Sequence, residues 1–62
     1  MQLLRRVETY LRRSGTAATR FGRESVRDPR FVFDLRKGRE PGRRIVRRVC
    51  AYLDRHERGL GQ

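Results

Sequence analysis

Four side chains in the middle of this 62-residue chain fall at spacings that a helix would gather onto one stripe. Arg30, Phe33, Asp34 and Lys37 follow i, i+3, i+4 and i+7. A guanidinium, a ring, a carboxylate and an ammonium in a row can read the edges of base pairs. Arg30 can donate a bidentate pair to guanine O6 and N7. Asp34 can accept from a cytosine amino group or orient Arg30, and Phe33 can touch a thymine methyl. Lys37 closes the stripe and, with Arg39, lies toward a phosphate backbone. Catalysis is not expected, because no nucleophile, base and orienting group come together in the sequence. No cofactor or metal is expected either: His56 stands alone near the end as a surface residue, and Cys50 reads as a half-buried filler.

Whether these residues share a stripe depends on the element that carries them, "RDPRFVFDLRKGREPG" (27–42). Alternation would make it a strand, grouping Phe31, Phe33 and Leu35. Its ends are helix punctuation instead. Asp28 is expected to cap, Pro29 to occupy the first helical position, and Gly38 to stop the helix behind Arg36 and Lys37. Phe31, Val32 and Leu35 then turn inward and the four candidate residues outward. The remaining apolar residues also recur at helical spacing. Leu3, Leu4, Val7, Tyr10 and Leu11 mark a first helix that Gly15 stops. Ala18, Phe21, Ser25 and Val26 mark a short second one, with Thr16 as its expected cap. Ile45, Val46, Val49, Tyr52 and Leu53 mark the last, with Tyr10 and Tyr52 packing their rings on the core. Gly22 inside the second helix costs roughly 1 kcal/mol relative to Ala and points to a close approach by another helix. The expected helices span about 2–13, 17–25, 29–37 and 43–56. Residues 1–56 then form one domain, and 57–62 a flexible tail.

Seventeen cations against seven carboxylates give a formal charge of +10. Leu, Ile, Val and Phe make up 15 of 62 residues, just enough for a core. Self-repulsion on so small a core calls for a polyanionic partner. Nucleic acid fits better than a membrane, because no segment has the long apolar face of a surface-lying helix. One cysteine excludes an internal disulfide. With no signal-peptide pattern and no run of ~20 apolar residues, a cytoplasmic, nucleoid location is expected.

Four short helices imply an all-α, compact four-helix domain whose middle pair forms a helix-turn-helix, the second helix entering the DNA major groove. At this level "TRFGRESVRDPRFVFDLRKGREP" resembles the helix-turn-helix of the lambda-repressor and Cro-like family, including small single-domain forms in alphaproteobacteria. Phe21, Val32 and Leu35 match its buried positions, Gly22 its small crossing residue, and Gly38 with the following proline its ending. The usual turn glycine would fall at Val26, and a usual apolar position falls at Arg27. The resemblance implies that the outer stripe of the third helix contacts bases. The expected phosphate contacts are Thr16, Thr19, Arg20, Arg27, Arg39, Arg43 and Arg44. The expected function is sequence-reading transcriptional regulation on double-stranded DNA, with a homodimer on paired half-sites as one way to lengthen the site. The alternatives are a low-specificity nucleoid-type DNA binder and an adaptor that meets RNA polymerase or another regulator through Phe33 and Leu60.

Overall fold

In the computed structural model, which describes residues 3–57, the chain folds into four α-helices: α1 (Leu3–Ser14), α2 (Ala18–Val26), α3 (Phe31–Arg36) and α4 (Arg43–Glu57). No strand occurs among the described residues. The helical punctuation therefore prevails over the alternation of Phe31, Phe33 and Leu35. Gly15 and Gly38 both take positive φ and carry the chain out of α1 and α3. Glu57, expected in the tail, is the last residue of α4; 58–62, including Leu60, lie outside the described residues.

Each helix gives its apolar stripe to one core. Val7, Phe21, Val32, Val49 and Leu53 are fully buried, and Leu3, Tyr10, Leu11, Val26, Phe31 and Leu35 nearly so. α1 and α2 each pack on both α3 and α4. The aromatic residues clasp the junction of α1, α2 and α4. Tyr10 and Phe21 rings are 5.6 Å apart, and the Tyr52 ring meets both nearly edge-on, at 6.2 and 5.3 Å. His56 is not a free surface residue: it is partly buried and stacks on Tyr52 at 3.9 Å.

The corner between α2 and α3 departs from the sequence reading in register. Its left-handed residue is Arg27 (φ 59°), not Val26, which is buried. This turn brings the Asp28 N–H to the Gly22 carbonyl at 3.1 Å. A Cβ on Gly22 would lie 2.2 Å from the Asp28 carbonyl oxygen, so the nearest approach is by the backbone of the corner and not, as expected, by another helix. Pro29 and Arg30 precede α3 instead of opening it. Arg30 (φ −93°, ψ 0°) is the third residue of a turn closed by the Phe31 N–H on the Asp28 carbonyl, 3.0 Å. Asp28 thus caps the turn and not the helix, its Oδ1 accepting the Arg30 N–H at 3.0 Å. At the other junction Ala17, not Thr16, is the residue before α2, and it supplies no side-chain cap. The Thr16 N–H donates to Ser14 Oγ (3.1 Å), and the Ser14 hydroxyl donates to Thr16 Oγ1 (2.8 Å). The Thr16 side chain is therefore tied back to the end of α1.

Candidate nucleic-acid interface

α3 has only six residues, and its inward side holds Phe31, Val32 and Leu35 in the core. That anchoring fixes which side faces out. Arg30, Phe33 and Lys37 are exposed together, with Phe33 at 42% the one exposed large apolar residue among those described. Asp34 does not join them. It is half-buried, and instead of pairing with Arg30 it accepts Arg39 Nη1 at 3.0 Å. Its backbone carbonyl takes the N–H groups of Lys37 and Arg39, both at 3.1 Å. Asp34 also lines a groove of about 240 Å³ with Phe31, Leu35, Pro41 and Ile45. It holds the turn that follows α3, so the expected stripe of four becomes three outward residues and one that secures the next loop.

Arg36, expected only as a last-turn residue ahead of Gly38, ties α3 to α1. Its Nε and Nη2 each donate to the Glu8 carboxylate at 2.8 Å, and its guanidinium stands 5.6 Å from the Phe33 ring centroid. The Arg36 bond holds the Glu8 carboxyl below its ordinary value. Twenty-eight positions separate the two residues, so no local spacing announces the pair. Two further links position the scaffold. Arg6 bridges α1 to Asp54 (2.5 Å) and Glu57 (3.0 Å) of α4. The Tyr52 hydroxyl of α4 donates to Glu24 of α2 at 2.9 Å. Burial first, and then this bond, raise the Tyr52 pKa, while Arg20 first and Tyr52 second lower that of Glu24.

The expected phosphate contacts fall into three groups. Arg27, Arg43 and Arg44 are exposed with no carboxylate in bridging distance among the described residues, as are Arg30 and Lys37. Arg20 and Arg39 are exposed but paired, with Glu24 (3.1 Å) and Asp34 (3.0 Å). Thr19 is exposed, whereas Thr16 is half-buried and bonded to Ser14. Exposed pairs of this kind contribute little stability, so Arg20 and Arg39 can exchange their carboxylates for a stronger anion at small cost.

Among the described residues no three His, Cys, Asp or Glu side chains gather as a metal site. No helix among them is long and apolar enough to cross a membrane. No protein-family model, curated protein or solved structure matches this chain.

Proposed function

We propose that this chain is a sequence-reading, double-stranded DNA-binding regulator of the lambda-repressor-like, helix-turn-helix kind. The observation that carries the reading is the outward side of α3 and its two flanks: Arg30 just before the helix, Phe33 on it and Lys37 just after it are all exposed, and three buried residues hold the helix immediately after a stitched corner. The major groove admits a helix of this size and displays a distinct pattern for each base pair. Arg30 takes a guanine, Phe33 a thymine methyl, and Lys37 the far edge of the site. Asp34 acts by holding the turn after α3 through its backbone carbonyl, from which the Arg39 side chain can leave the carboxylate for a phosphate. Arg27, Arg43 and Arg44 supply further phosphate contacts. So do the N–H groups at the start of α2, which no side chain of Ala17 caps, beside Thr19.

Fluorescence anisotropy with a duplex selected from a random pool tests this reading. A specific binder keeps its selected duplex in the presence of excess random duplex, and Arg30→Ala loses that preference. Equal affinity for every duplex would place the chain with low-specificity nucleoid-type binders instead.

One observation favours a second reading, an adaptor that binds a protein of the transcription machinery. The Phe33 ring is exposed and lies beside Arg36, an aromatic–arginine pair typical of protein interfaces. On that reading Phe33→Ala abolishes partner binding and leaves DNA affinity unchanged; on the DNA reading the same change weakens the selected duplex.

A further inference from the structure

Among the described residues, the ion pair of Arg36 with Glu8 alone is a fork on a single carboxylate. Nε meets Oε2 and Nη2 meets Oε1, both at 2.8 Å. Arg20 and Arg39 each reach their carboxylate through one nitrogen, and Arg6 shares one nitrogen between two carboxylates. Glu8 also passes over a local partner. Arg12 stands four residues on, at the spacing of a helical ion pair, yet the Glu8 carboxylate bridges only to Arg36. A two-bond pair fixes the plane of the guanidinium as well as its position. That guanidinium lies over the Phe33 ring, 5.6 Å from its centroid, one turn back along α3.

Three elements thus meet in one chain of contacts: a carboxylate from α1, a guanidinium from the end of α3, and the exposed ring in the middle of α3. A free phenylalanine on a surface samples several rotamers, and ordering it on contact costs free energy. Here the clamped guanidinium restricts the ring before any partner arrives, while 42% of the residue stays open. The clamp also sets Arg36 apart from the phosphate contacts. Glu8 neutralises its charge and takes two of its N–H donors, whereas Arg30 has no carboxylate in bridging distance among the described residues. An unpaired guanidinium at Arg30 therefore stands three positions before a held apolar ring at Phe33. In the major groove of an intact duplex, the apolar group on a base edge is the C5-methyl of a pyrimidine.

On the reading that α3 lies in the major groove, which this deepens, we infer that Phe33 recognises the C5-methyl group of a pyrimidine, with Glu8 and Arg36 as positioning residues that hold its ring for that contact. The recognised group is the methyl and not the base, so 5-methylcytosine is read as thymine is. Arg36 then serves specificity, through the ring, and leaves the phosphates to other cations. Glu8 makes the first helix a determinant of what the third one reads.

The test uses the full chain and fluorescence anisotropy on a duplex selected from a random pool. Each thymine is replaced in turn by uracil, which removes only the methyl. At one thymine of the site, affinity should fall roughly fourfold, the worth of one buried methyl group. At that position 5-methylcytosine, paired with guanine, should bind better than cytosine by a similar factor. Phe33→Ala should abolish both differences. Arg36→Lys keeps the charge but cannot form the fork, and Glu8→Gln weakens the fork from the other side; each should bring the ratio down to about twofold or less. Affinity for random duplex should hold in Arg36→Lys and should not fall in Glu8→Gln, whereas a merely loosened α3 would weaken every duplex alike. Far-UV circular dichroism of the variants should match wild type. If the chain prefers its selected duplex but no thymine responds to uracil, the inference is overturned and base reading through Arg30 stands. A methyl effect of full size in both Arg36→Lys and Glu8→Gln overturns the positioning role. If wild type shows no preference among duplexes, the reading of α3 fails and the methyl assignment fails with it.

Discussion

At the residue scale the corner between α2 and α3 rests on two positions of opposite kind. Gly22 has no side chain because the Asp28 carbonyl occupies the place of its Cβ, at 2.2 Å. Gly22→Ala must push the corner away from α2. Overpacking of this severity is expected to cost about 3 kcal/mol, read as a fall in the urea midpoint, together with loss of DNA binding. Arg27 is the reverse case, a large residue in a left-handed conformation that disfavours any side chain. Arg27→Gly should stabilise the fold by up to about 1 kcal/mol, strain relief being partly offset by the freer unfolded chain. If Arg27 also holds a phosphate, the same variant binds DNA more weakly while folding better, and measuring both separates the roles. On α3, Arg30→Ala should cost about 1–3 kcal/mol on the selected duplex and little on random sequence. Lys37→Ala, if its contact is to phosphate, should weaken both alike and lower the salt slope by about one.

At the element scale, α1 and α4 were legible because each is long enough for its apolar residues to repeat. Val7, Tyr10 and Leu11, and Val49 and Leu53, fall where the periodicity put them. α3 was legible as a helix but not at its start. Asp-Pro favours both a helix cap and the turn before a helix, and the Asp28 side chain satisfied the turn. The Phe31/Phe33 division was readable from helical geometry, yet the fate of Asp34 was not. Its choice of Arg39 over Arg30 depends on the path of the loop after Gly38, which no periodicity describes. The Glu8–Arg36 clip was invisible for a similar reason, since it joins helices that only the fold brings together.

That clip sets a pH dependence for the seating of α3. Bonding to Arg36 depresses the Glu8 carboxyl below its ordinary value of about 4.5. A depressed carboxyl contributes stability that is present above the ordinary value and is lost as pH falls through the lowered one. Glu24 is lowered by Arg20 and Tyr52 and acts in the same direction. Urea midpoints measured between pH 2 and 6 should therefore fall on acidification, and Glu8→Gln should make that fall shallower.

At the scale of the whole molecule, a charge of +10 surrounds a core with five fully buried side chains. Leu53→Ala, which opens a cavity among the helices, is expected to cost about 2–5 kcal/mol, comparable with the entire stability of so small a domain. Self-repulsion should make the fold respond to ions: melting temperature should rise from low to moderate salt and rise further with bound polyanion, as calorimetry would show. The same charge dominates the proposed affinity.

The salt dependence of duplex binding therefore tests the central claim most directly. If the cations of α2, the corner, α3 and the start of α4 together neutralise six or more phosphates, affinity measured by anisotropy should fall roughly a thousandfold or more between 50 and 200 mM salt. An affinity that stays flat across that range, or no binding at 50 mM, would contradict the account.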